Sequence, residues 1–238
     1  MRIVADTHTH TLMSGEAFCT INENVAAAKK AGLSFLAVTD HACAMEGAAT
    51  QYYFRNLPSL PSRIDGIELL RGVEADVIDY NGGLDLPDEI LAKLDWVIAS
   101  FHGRALPYGT QEDCDCAWMA VAENPLVDVI GHCGNPAYPF THEPLVRAFA
   151  DNRKIVEINN HSFAGRPGSA ENCKHIAQLC MKYGVPVVVS SDAHYNGDIG
   201  RFDDAVSMLE SIQFPEELIL NADSVRFGEW IRRKGTRG

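Results

Sequence analysis

Histidines and carboxylates recur along this chain in a pattern suited to holding metal ions. Asp6-Thr7-His8-Thr9-His10 stands near its start, where residues 3–8 read as a short apolar strand running out into polar residues. Side chains of a strand alternate between faces, so His8 and His10 point the same way, with Thr9 opposite. Two imidazoles on one face at a strand end can grip a cation, because imidazole nitrogen is the commonest protein donor for metals such as zinc and iron. An isolated His-x-His is more often a pair of surface histidines. Here the pattern repeats: further apolar runs end in Thr39-Asp40-His41, Gly72-Val73-Glu74, Phe101-His102, Gly131-His132, Asn159-Asn160-His161 and Ser191-Asp192-Ala193-His194.

The elements that must position these residues alternate along the chain. Thr20 and Glu23 are spaced as a capping box opening an Ala/Lys-rich helix that stops at Gly32. Residues 33–38 read as a buried strand, and 43–62, with Tyr52, Tyr53, Phe54, Pro58 and Pro61, as a long loop holding a helical piece at a rim. A strand from Ile67 runs through Glu74 and Asp76, and Asn81-Gly82 signals a hairpin turn between Val77-Ile78 and Leu84. Strands at 96–100, 127–130, 155–158 and 187–189 then alternate with helices around Trp118, over 142–152 and over 170–183, before two closing helices around Ala205 and Val225. Strands alternating with helices imply βαβ units, a parallel sheet and right-handed crossovers. Seven strands, ending near His8, His41, Glu74, His102, His132, Asn159 and Asp192, each carry their polar cluster at the C-terminal end. A closed barrel gathers such ends on one face. An open doubly wound sheet would show a Gly-rich first turn, and none follows the first strand.

Composition narrows the class. The chain has 238 residues and no linker or low-complexity run, so one domain is expected. Met1-Arg2-Ile3 leads straight into the first strand rather than into a signal peptide, and no apolar run reaches transmembrane length. A net charge of −12 argues against nucleic-acid and membrane partners. Seven cysteines, none in a Cys-x-x-Cys pair, read as reduced, mostly buried thiols of a cytoplasmic protein.

Taken in order, Asp6-Thr7-His8-Thr9-His10, Thr39-Asp40-His41, Gly72-Val73-Glu74, Phe101-His102, Gly131-His132, Glu157-Ile158-Asn159-Asn160 and Ser191-Asp192-Ala193-His194 give the chain a sequence that resembles the PHP (polymerase and histidinol phosphatase) superfamily. Within it the chain is most similar to the small stand-alone YcdX-type phosphatases, over nearly its whole length. The resemblance implies a distorted (β/α)7, TIM-barrel-like α/β fold with two or three divalent transition metals (zinc, manganese or iron) at the C-terminal ends of the strands. It implies hydrolysis of a small phosphomonoester by a metal-bound hydroxide, with no protein nucleophile. Carried over, it puts His8, His10, Glu74 and Asp192 around one metal, with Glu74 bridging to a second held by His102 and His132. The third is held in the family by His41, His194 and another histidine, at whose position this chain has Glu16. A carboxylate is a harder donor and tilts preference from zinc toward iron or manganese.

Two ions about 3.5–4 Å apart can share a hydroxide and clamp phosphate oxygens, and a metal lowers the pKa of bound water toward about 7. Neutral histidines supply donors without cancelling the cationic field. Around this centre, Asp6 and Asp40 are expected to orient imidazoles. His161, Arg104, Arg166 and Arg201, all just past strand ends, are the candidate substrate contacts. His142 and His175 fall on helices and read as surface residues, and Cys43 and Cys133 as packing. Two rival readings are a 3′–5′ exonuclease or other nucleic-acid phosphodiesterase, and a non-catalytic metal-binding regulatory domain.

Overall fold

The computed structural model describes residues 1–234. Among these residues, seven parallel strands run in the order β1 (Ala5–Asp6), β2 (Phe35–Val38), β4 (Ile67–Asp76), β5 (Trp96–Ser100), β6 (Val129–Ile130), β7 (Ile155–Asn159) and β8 (Val187–Ser190), and β3 (Arg63–Ile64) pairs antiparallel with β4. The main helices are α1 (Ile21–Lys30), α2 (Gln51–Asn56), α3 (Asp88–Leu91), α4 (Gln111–Glu123), α5 (His142–Asp151), α6 (Ser162–Gly165), α7 (Ser169–Tyr183), α8 (Asp203–Ser211) and α9 (Ser224–Lys234). None is long and apolar enough to cross a membrane. The capping box at Thr20 and Glu23 is formed, and Gly32 follows α1 with φ +75°. The Asn81-Gly82 turn joins Val77 and Leu84 by a single antiparallel bridge, and the rim segment 43–62 contributes α2. The strands match the seven expected ones, with β1 cut to two residues because pairing with its neighbours lapses after Asp6.

Period-two alternation sorts the strand residues into two cores. Phe35, Ala37, Leu70, Trp96, Ile98, Val129, Ile155 and Val188 fill the barrel, while Leu36, Val38, Leu69, Val73, Val97, Ile130, Val156 and Val189 face the helices. Burial on both faces is why these strands are almost continuously apolar. Helix α9 closes the barrel's N-terminal mouth: the Phe227 ring packs edge-on against Phe35 at 5.1 Å and Trp96 at 5.8 Å. Lys234, at the end of that helix, pairs with the buried Asp128.

The seam between β1 and β8 is held in two ways. At the C-terminal end, His10 N–H donates to the Ala193 carbonyl at 2.9 Å and Asp192 N–H to that of His8 at 3.0 Å. Lower down, the buried Asn221 amide fills the gap, donating to the carbonyls of Ala5 (2.8 Å) and Val189 (2.7 Å) and accepting from Val189 N–H (3.0 Å). Asn221→Ala orphans these groups, each at about 1–3 kcal/mol. Urea denaturation should therefore show a loss of about 3 kcal/mol with unchanged m-value; a loss below about 1 kcal/mol would mean that water or the backbone closes the seam instead.

Candidate metal centre

The alternation that fills the barrel also builds the site. Two residues beyond the apolar layer, the inward positions carry Thr39, Gly72, Ser100, Gly131, Glu157 and Ser190; two further on they carry His41, Glu74, His102, Asn159 and Asp192. Gly131 is required by close approach, since a Cβ there would lie 2.1 Å from Ser100 Oγ. On β6 the parity breaks and His132 enters the cluster with φ +23°; Asp192 also has positive φ, at +58°. Non-glycine residues held in such conformations concentrate at functional sites. His8 and His10 share a face by their spacing of two, but off the parity of the inward Ala5; the shift falls after Asp6, where β1 pairing lapses until the bridge between Thr9 and Ala193.

Glu74 lies at the centre and is buried. Its Oε2 faces His8 Nε2 (3.2 Å), His10 Nε2 (3.5 Å) and His41 Nδ1 (2.9 Å), whereas Oε1 faces His132 Nε2 (2.8 Å) and His102 Nε2 (3.5 Å). Asp192 Oδ1 is 3.2 Å from His10 Nε2 and 3.5 Å from His8 Nε2. Glu16 Oε1, on a half-exposed side chain, is 3.3 Å from His41 Nε2 and 3.4 Å from His194 Nε2. Among the described residues, three groups have donor atoms mutually within 4.8 Å: His8, His10 and Glu74; His10, His41 and His194; His41, Glu74 and His102.

These donors fit cations. Glu74 Oε2 and His41 Nδ1 are buried and near each other, yet neither has a hydrogen-bond partner. His8 Nε2 and His10 Nε2 face one another at 3.1 Å. Orphaned buried polar atoms are costly, and a shared divalent ion satisfies several at once. The outward nitrogens are fixed: His8 Nδ1 by Glu157 at 2.6 Å and His102 Nδ1 by Asp76 at 2.6 Å. Glu157 also accepts from Ser190 Oγ (2.6 Å) and His132 N–H (2.7 Å). Such carboxylate–histidine pairs orient metal ligands.

The electrostatics agree. Burial holds His10 well below its ordinary pKa and lowers His102 and His132 to about 4, Arg166 adding to the effect at His132. These imidazoles are neutral donors. Burial opposes charge on His8 and His41 too, but Glu74 outweighs it, joined by Glu157 at His8 and Glu16 at His41; His8 goes well above its ordinary value and His41 to about 10. Despite burial, His8, His102, His41 and His132 hold Glu74, and His8, His10 and Arg166 hold Asp192, well below the ordinary carboxylate range. The buried carboxylates therefore recruit positive charge, which protons supply when metal does not. Burial, together with the Glu74 charge, pushes Asp76 up to about 8.

A cavity of about 490 Å³ opens over the cluster. His161, Arg166 and Arg201 line it, with Asn160, Asp198 and Asp204 among the other lining residues. Arg166 Nη2 lies 3.0 Å from Asp192 Oδ2, and Arg201 pairs with Asp198 at 2.5 Å. The structure does not bring Arg104 into the cavity: its exposed guanidinium lies 3.8 Å from Glu46. Asp6 and Asp40 contact no imidazole directly. Asp6 instead holds Ser191 and the Gly200 N–H, and Asp40 holds Thr11, Ser14 and Tyr53. Each turns away because its neighbouring backbone N–H or hydroxyl donors claim both oxygens. The imidazole-orienting acids are Asp76 and Glu157. Asp76 was legible as the next inward position after Glu74; Glu157 sits two residues past the inward Ile155. Cys43 and Cys133 join none of the three donor groups.

Residues 6–161 match the PHP domain family. The chain belongs to that family. It is 46% identical to a probable phosphatase of Acetivibrio thermocellus over 237 residues, covering 100% of this chain and 98% of the relative. A probable phosphatase of Caldicellulosiruptor saccharolyticus is 44% identical over 235 residues, covering 99% of this chain and 98% of the relative. Among solved structures, the histidinol phosphate phosphatase of Lactococcus lactis, complexed with zinc, L-histidinol and phosphate, superposes with a TM-score of 0.65. That match is 18% identical in sequence and covers 90% of this chain and 95% of the other, so it shows a shared fold.

Glu16 is where this PHP chain departs from the pattern of imidazole donors. If its carboxylate is a ligand, Glu16→His should move the best-activating metal from manganese or iron toward zinc. Glu16→Ala should lower occupancy at that position by about one ion per chain, read by elemental analysis. Unchanged metal preference and content in both variants would place Glu16 outside the ligand set.

Proposed function

We propose that this PHP chain hydrolyses a small phosphomonoester, with His8, His10, Glu16, His41, Glu74, His102, His132, Asp192 and His194 holding two or three divalent ions. As a PHP phosphatase it is a hydrolase acting on phosphoric ester bonds. The observation that carries the reading is the buried Glu74, whose two oxygens face separate sets of imidazoles. When bound, the ions supply charge neutralisation for the phosphoryl oxygens and acidify water for attack. The protein's own part is to hold the His8 and His102 imidazoles in place through Glu157 and Asp76. Arg166 orients Asp192 through Oδ2 and offers its guanidinium to the phosphate, a pairing that suits planar bidentate donors. His161 and Arg201 line the same cavity and are more exposed than Arg166, which leaves them free to contact the substrate. Seven free cysteines fit a reducing cytoplasm.

Purified, metal-loaded protein should release phosphate from members of a phosphomonoester panel that includes p-nitrophenyl phosphate. Degradation of single-stranded DNA with monoesters untouched would move the assignment to a nuclease. Tightly bound metal with turnover of neither would leave a binding role.

A further inference from the structure

We propose that Ser14 is a positioning residue that sets the tautomer of His10 and seats His41. The inference rests on the reading of the cluster as a metal centre. Ser14 ends the single helical turn Leu12–Ser14 and is buried. The following Gly15 has φ +80°, and a Cβ on it would lie 2.6 Å from the Gly47 carbonyl, so this turn is pressed against the rim segment. The hydroxyl has three partners. Its Oγ is 2.7 Å from Asp40 Oδ1, 2.9 Å from His10 Nδ1 and 3.1 Å from the backbone nitrogen of His41.

Proton counting assigns the roles. A serine hydroxyl has one hydrogen and two lone pairs, and an ionised carboxylate only accepts. Asp40 is itself held by the Thr11 N–H at 2.6 Å and by the Tyr53 hydroxyl, which donates to Oδ2 at 2.7 Å. Ser14 therefore donates to Asp40, and both its lone pairs receive: one the His41 N–H, the other a proton on His10 Nδ1. His10 is thus protonated at Nδ1, and its Nε2 turns a lone pair toward Glu74, Asp192 and His8, where a cation would satisfy it together with the two carboxylates.

This places one hydroxyl behind the histidine that two of the three donor groups share, His10, and against the backbone of His41, which two also share. Tyr53, on α2, extends the chain of hydrogen bonds to the rim.

Ser14→Ala should bind zinc about 10–100-fold more weakly in competition with a chromophoric chelator, the usual loss when a partner behind a metal ligand is removed. Ser14→Thr, which keeps the oxygen, should restore most of the affinity. The visible spectrum of the cobalt-substituted protein should change in Ser14→Ala and not in Ser14→Thr. Long-range ¹H–¹⁵N correlation on the zinc-loaded wild type should show His10 protonated at Nδ1, a readout that does not depend on any variant folding. A proton on Nε2 would overturn the proposal. So would wild-type zinc affinity and cobalt spectrum in Ser14→Ala, or equal losses in the alanine and threonine variants. Wild-type protein that binds no zinc would overturn the metal reading and this inference together, whereas intact binding in Ser14→Ala overturns this inference alone.

Discussion

Glu74→Gln should lower phosphatase turnover by about three orders of magnitude and release metal, while the protein stays folded. The substitution keeps the shape of the side chain and removes one negative charge from a fully enclosed position. In the wild type each oxygen serves a different set of imidazoles: Oε2 the one with His8, His10 and His41, Oε1 the one with His102 and His132. An amide keeps one oxygen with lone pairs and replaces the other with an NH2 group that has none to give a cation, so an ion among whichever set meets the NH2 group would lose a ligand. Charge stabilisation by ions at such a centre is worth several kcal/mol, and each 1.36 kcal/mol is a factor of ten in rate. Elemental analysis and turnover should fall together. A variant that keeps full metal content and activity would show that Glu74 does not bridge.

Most of the strand pattern and the ring of donors could be read from the sequence because both follow from one rule. Inward positions recur every second residue, so an apolar Ile98 in the barrel places Ser100 and then His102 on the same face, and Val188 places Ser190 and then Asp192. The rule fails where the backbone leaves the regular strand. His132 is off the parity of Val129 and Gly131, and only its positive φ brings it in. Ser14 was equally illegible: its role depends on a single helical turn folding its hydroxyl back between His10 and His41, a contact set by tertiary packing. Asp6 and Asp40 show the converse limit. Asp40 directly precedes His41, and adjacent strand residues point to opposite faces; Asp6 is two residues before His8, but β1 pairing ends at Asp6 and its carboxylate is held by Ser191 and the Gly200 N–H instead. Arg104 follows His102 by two residues, but the chain turns directly after His102, whose carbonyl accepts from the Ala105 and Leu106 N–H groups, so alternation no longer dictates direction.

Removal of metal should destabilise the protein as well as inactivate it. The cluster buries Glu74, Asp192 and Glu157 among imidazoles, with Glu74 Oε2 and His41 Nδ1 left without hydrogen-bond partners. The unfolded chain offers no such assembled site, so ion binding adds directly to folding free energy. At free metal a thousandfold above the dissociation constant, one site contributes about 4 kcal/mol. For a chain of this size, each kcal/mol moves the melting temperature by about 2–4 °C. Two ions thus predict a fall of roughly 15 °C or more on exhaustive chelation, recovered by adding back zinc, manganese or ferrous iron. The recovery should be stepwise as equivalents are added, because Glu74 ties two of the donor groups together and the ion bound first relieves its unpaired oxygen. Calorimetry of chelated and reloaded protein reads both effects. A melting temperature that moves by less than about 2 °C would mean that the cluster is already satisfied by protons and internal hydrogen bonds, and that its histidines do not bind metal tightly.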